Sequence, residues 1–86
     1  MRMFESMEKL NGKSMFESLS AFPIKVNGGA EGPNFIHLSL KSDQQIKGDL
    51  DQIINIMKKC CPATCCAHTF ELNHAGIWFY KVLINW

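Results

Sequence analysis

Between Cys66 and Trp86 the chain is apolar in both of its alternating registers, and this limits what it can fold into more than any other feature. Cys66 to Leu72 and Ile77 to Trp86 read as two strands around Asn73-His74-Ala75-Gly76, whose residues suit a turn. A four-residue loop would pair Leu72 with Ile77, Phe70 with Phe79, His68 with Lys81 and Cys66 with Leu83. The opposite face then carries Ala67, Thr69, Glu71, Trp78, Tyr80, Val82 and Ile84. A sheet washed on one side alternates apolar with polar residues. Here both faces are mostly apolar, so both are expected to be covered, and any part left bare is expected to be an interface.

The remaining elements must supply that cover. Ser42 and Gln45 form a capping box with Asp43 in the first turn, which starts a helix over 43–61. Ile46, Leu50, Ile53, Ile54, Met57 and Cys61 lie on one side of it, and Lys47, Asp51, Gln52 and Lys58 on the other. Pro62 forbids its continuation. Phe35 to Lys41 alternates cleanly, with Ile36, Leu38 and Leu40 pointing one way and His37, Ser39 and Lys41 the other, as a strand with one buried face does. Ile24-Lys25-Val26 reads as a short strand, and the glycine-rich 27–34 stretch as a loop.

Two short N-terminal helical segments complete the expectation. Met3, Phe4, Met7 and Leu10 recur at helical spacing before Asn11-Gly12. Ser14 and Glu17 make a second capping box ahead of Phe16, Leu19 and Phe22, and Pro23 ends that segment. The expected fold is a single α+β domain over 1–86: a small antiparallel or mixed sheet of about four strands packed on one main helix.

Charge narrows the function. Nine basic and eight acidic residues leave a net charge of +1, and the lysines are scattered along the sequence. Duplex binding draws most of its affinity from clustered phosphate contacts, so nucleic acid is not the expected partner. No apolar run approaches the ~20 residues that span a bilayer, and acids interrupt the N-terminus where a signal peptide would be apolar. These observations point to a cytoplasmic protein with no membrane role, in a compartment where thiols stay reduced.

All four cysteines fall within Cys60-Cys61-Pro62-Ala63-Thr64-Cys65-Cys66, with His68 just beyond. A bond between adjacent cysteines is strained, because their Cα atoms stand about 3.8 Å apart and disulfides prefer ~4.4–6.8 Å. A zinc- or thiol-dependent regulator would draw on Cys60, Cys61, Cys65, Cys66 and His68, the residue types zinc prefers. His74 is a poor partner for Cys66, since eight strand residues at ~3.3 Å each separate the two. Neighbouring cysteines diverge by about 100° on a helix and point to opposite faces on a strand, which works against one shared ion. The preferred account is packing: Cys61 extends the helix's apolar stripe and Cys66 shares a face with Phe70 and Leu72. On that account no cofactor is required.

No catalytic arrangement emerges. The three histidines lack a serine or carboxylate at motif spacing. Cys66 and His68 share a strand face, but their Cα atoms would stand nearly ~7 Å apart. Gly12-Lys13-Ser14 lacks the leading glycine of a phosphate-binding loop, since Met7 stands there.

Trp78, Tyr80 and Trp86 alternate on one face of the last strand. Aromatic residues of this kind anchor protein interfaces, and on a sheet they can stack single-stranded bases, although only Lys81 accompanies them in that strand. The sequence therefore supports a non-enzymatic, cytoplasmic protein-binding module, an inhibitor, adaptor or subunit, with Trp78, Tyr80 and Trp86 as its contacts and the 27–34 stretch as a second surface. A homodimer through an edge strand is the self-paired form of that reading.

Overall fold

The computed structural model describes residues 15–59 and 61–86. The order is helix α1 (Met15–Leu19), strands β1 (Lys25–Gly32) and β2 (Phe35–Ser42), helix α2 (Lys47–Lys58), and strands β3 (Cys66–His74) and β4 (Ile77–Asn85). The strands form one four-stranded sheet in the order β1-β2-β4-β3, antiparallel at every pairing. The architecture is α+β, as composition and periodicity led us to expect. The segment read as helical over 3–10 lies outside the described residues.

Strand β2 sets the inside of the molecule. Its residues alternate between half-buried and buried along their whole length, and Ile36, Leu38, Leu40 and Ser42 are the buried set. Across the β2·β4 ladder the first three face Ile84, Val82 and Tyr80, so both central strands turn the same face inward. Ile46 just before α2 and Ile53 and Met57 within it are buried in the same cluster, with Leu50, Ile54, Ile56 and Cys61 packed against it. The stripe read from the sequence is therefore the buried side of the helix. Leu19 of α1 joins the core as well, at 1% exposure.

Helix α2 starts later than its capping box suggests. Ser42 is buried and does not cap it: its hydroxyl donates to the Pro23 carbonyl at 2.6 Å and accepts from the Gln44 amide at 3.2 Å. Ile46 occupies the cap position with no side-chain hydrogen bond to the first turn. The tie from Ser42 to Pro23 fixes the end of β2 against the segment leading into β1. The side chain meant for a cap is used for a tertiary contact, and the helix begins four residues on.

The 27–34 stretch is not a loop. Residues 25–32 form β1, and only Pro33 and Asn34 remain for the turn, since Gly32 pairs directly with Phe35. Glycines are poor strand formers because they have no side chain to pack. Here β1 is an edge strand held by its ladder to β2, with a bulge between Val26 and Gly28. The Phe35 ring lies over Gly32 so closely that any side chain there would collide with it, an aromatic cover over an edge glycine.

The C-terminal hairpin has a tighter turn than its sequence suggests. Ala75-Gly76 forms a two-residue connection, and both residues have positive φ, 52° and 82°. That conformation matches the twist of the flanking strands. Gly76 adopts it freely, whereas Ala75 does so at a cost of roughly 1–2 kcal/mol. The pairs become His74 with Ile77, Leu72 with Phe79, Phe70 with Lys81 and His68 with Leu83. The shift is two residues, so every side chain keeps the face it was assigned.

Candidate binding face

The face of the sheet opposite the core carries the exposed apolar side chains. The register places His74 beside Ile77, then Leu72 beside Phe79, then Phe70 beside Lys81, then His68 beside Leu83. Across β4 the same rows continue into Lys41, Ser39 and His37 of β2, and then into Lys25, Gly28 and Ala30 of β1. Phe70 is 58% exposed, Leu72 64% and Ile77 37%, and all three lie on this face. Expected to be covered on both sides, the hairpin is covered on one side along β4 only, β3 being exposed at every position but Ala67, and among the described residues nothing buries the other side.

An open groove of about 410 Å³ runs across this face, lined by Phe70, Leu72, Phe79, Asn27 and Ser39, with both Lys81 and Glu71 in its wall. A second hollow of about 470 Å³ lies at the end of the sheet, bounded by Phe22, Ile24, Lys25, Lys41, Asp43, Ile77 and Phe79. Together they make a shallow apolar surface edged by Lys25, Lys41 and Lys81 and by the acids Glu71 and Asp43.

The aromatic residues singled out from the sequence lie on the other side. Tyr80 is 2% exposed and belongs to the core, while Trp78 and Trp86 are partly buried against it. The Tyr80 hydroxyl has two partners, accepting from the Ile46 amide at 3.0 Å and donating to Glu71 Oε2 at 2.7 Å. Glu71 also accepts from Gln45 Nε2 at 3.3 Å. Burial raises the Tyr80 hydroxyl above the ordinary phenol value, the Ile46 hydrogen bond opposes this, and Glu71 adds to the rise. Tyr80 thus joins the sheet to the start of α2, where no side-chain cap is present. The edge-strand option for the C-terminal strand also falls away: β4 is interior, and β1 and β3 are the edges.

The cysteines divide between the two sides of the sheet. Cys61 follows α2, packs against the core, and its thiol donates to the Met57 carbonyl at 3.3 Å. Cys65 also packs there, whereas Cys66 is exposed and shares the open face with His68. Cys60 lies outside the described residues. Among the described residues no three histidine, cysteine or acidic side chains converge in a way that could hold a metal ion.

His37 is half-buried on the open face, 3.2 Å from the Ser39 hydroxyl. Burial holds its imidazole below the ordinary value near 6.5, and the Lys81 ammonium acts in the same direction. The unfolded ring therefore takes up a proton at a pH where the folded one does not, so acidification below about 6.5 removes stability. Urea midpoints measured at about pH 7 and about pH 5.5 should show a smaller loss for His37→Gln than for the parent chain. Equal losses would mean that His37 does not contribute to the pH dependence.

What sequence reasoning missed was which side of the hairpin stays bare. The signal was present in β2, where His37, Ser39 and Lys41 mark the uncovered side. Register with β4 carries that mark to Phe79, Lys81 and Leu83. No described helix is long and apolar enough to cross a membrane. No family model, curated protein or solved structure matches this chain.

Proposed function

We propose that this chain is a non-enzymatic protein-binding module whose contact surface is the open face of its sheet. The observation that carries the reading is the clustering of Phe70, Leu72 and Ile77, each more than a third exposed, on one side of one hairpin. Burying such side chains in full is worth roughly 1.5–3 kcal/mol each, and a partner that covers them gains much of that. Contiguous apolar patches of this kind mark interaction sites in small domains. The reading takes α2, through Ile53 and Met57, as the main cover of the opposite face. It also places the protein in a reducing compartment such as the cytoplasm, acting as inhibitor, adaptor or subunit.

The test is binding of the apolar dye ANS to the full chain. Saturable fluorescence enhancement is expected, and it should be lost in Phe70→Ser/Leu72→Ser while near-UV circular dichroism stays unchanged. Absent enhancement in the parent chain would mean that the face is covered, and the reading would be abandoned.

A further inference from the structure

We propose that the occupant of this face is an acidic amphipathic segment of another protein. The inference rests on the open face being the contact surface and adds the chemistry of what it contacts. That face is divided lengthwise. Its β3 and β4 side presents Phe70, Leu72, Ile77 and Phe79, whereas the cations are Lys81 on β4, Lys41 on β2 and Lys25 on β1. Lys25 and Lys41 are direct cross-strand partners, a pairing that is unfavourable until an anion is shared between them.

No carboxylate occupies this face at any described strand position. Glu31 pairs with Ile36 and Glu71 with Tyr80, both on the core side, and Asp43 lies past the end of β2. At the described strand positions of this face Lys25, Lys41 and Lys81 thus stand with no acid among them, while Glu71 and Asp43 line its two hollows from the rim and Glu71 is already bonded to Tyr80 and Gln45. Beyond the lysines, β1 contributes Gly28 and Ala30 to the middle rows, with Asn27 beside them at the bulge, which leaves room above the glycine for a ligand's acidic side chains. A segment lying along the strands, with one apolar and one acidic edge, matches this division.

Two other occupants fit less well. A second copy docked face to face would bring three lysines from each chain into one interface, and like charges brought together there oppose association. Single-stranded nucleic acid would meet the lysines and could stack one base on Phe70, but Phe79 is half-buried and Leu72, Ile77 and Leu83 offer no further aromatic surface.

The experiment is fluorescence anisotropy of a labelled synthetic amphipathic peptide of leucine and glutamate, titrated with the full chain. A leucine and lysine counterpart and a single-stranded oligonucleotide are run alongside, and light scattering reports the mass of the protein alone. The acidic peptide is expected to bind at least about tenfold more tightly than the basic one. Its affinity should fall with added salt, Lys41→Glu/Lys81→Glu should reverse the preference, and Phe70→Ser/Leu72→Ser should abolish binding.

Equal binding of both peptides, still lost in Phe70→Ser/Leu72→Ser, would overturn the acidic partner and leave the open-face reading standing. Failure of the acidic peptide to bind would likewise overturn it. So would preference for the oligonucleotide, or a doubled mass that falls to the single-chain value in Phe70→Ser/Leu72→Ser. Peptide binding that survives Phe70→Ser/Leu72→Ser would overturn this inference and the open-face reading together.

Discussion

Ile84→Ala should cost about 2–5 kcal/mol of stability, because the side chain is fully buried in the apolar cluster and truncation leaves a cavity. A domain of 86 residues has roughly 4–13 kcal/mol in all. The melting temperature should therefore drop by roughly 8 °C or more. Leu72→Ser, on the neighbouring strand but on the other face, should change stability by no more than about 0.5 kcal/mol. Thermal unfolding of the two variants beside the parent chain measures both. Comparable losses would mean that Leu72 is packed as Ile84 is, and that the sheet has no open face.

Tyr80→Phe should be the second large effect. It removes one oxygen from a core position and leaves the ring in place, so packing is nearly preserved. The Ile46 amide then loses its acceptor, and Glu71 loses its shortest hydrogen bond. Stranding a buried donor costs about 1–3 kcal/mol, more than the net worth of an ordinary hydrogen bond. The loss should be localised: hydrogen exchange at the first turn of α2 is expected to accelerate ahead of exchange in β2 and β4. If Tyr80→Phe melts with the parent chain, the hydroxyl is not the cap of this helix.

Much of the architecture was legible because side-chain period survives small errors in register. Leu72 was paired with Ile77 and is found opposite Phe79, yet both assignments put it on the same face. The α2 stripe was equally clear, since Ile46, Ile53 and Met57 are apolar at helical spacing and all are buried. Positions where one side chain can serve two purposes were not legible. Ser42 is a good helix cap by type, but the Pro23 carbonyl lies within its reach and takes its proton.

Strand β1 escaped notice for a related reason. A ladder needs only backbone groups, and Gly28-Gly29-Ala30 supplies them although the stretch shows the composition of a turn. The candidate site was hidden more deeply. Trp78 and Tyr80 drew attention as large aromatics, and size is what the core needs, so the core claims them. The residues that remain outside, Phe70 and Leu72, look in the sequence like the half of a hairpin that a small chain would also cover. Only the side chosen by Ile36, Leu38 and Leu40 decides between the two faces, and that choice is made across strands.

Solvent paramagnetic relaxation of methyl groups in the full chain, using a soluble gadolinium agent, tests the two-sided account most directly. The account requires strong relaxation of Leu72 and Ile77 methyls and protection of those of Ile53 and Ile84. Protection of Leu72 and Ile77 to the same degree as Ile84 would contradict it, because the face assigned to a partner would already be filled by the protein itself.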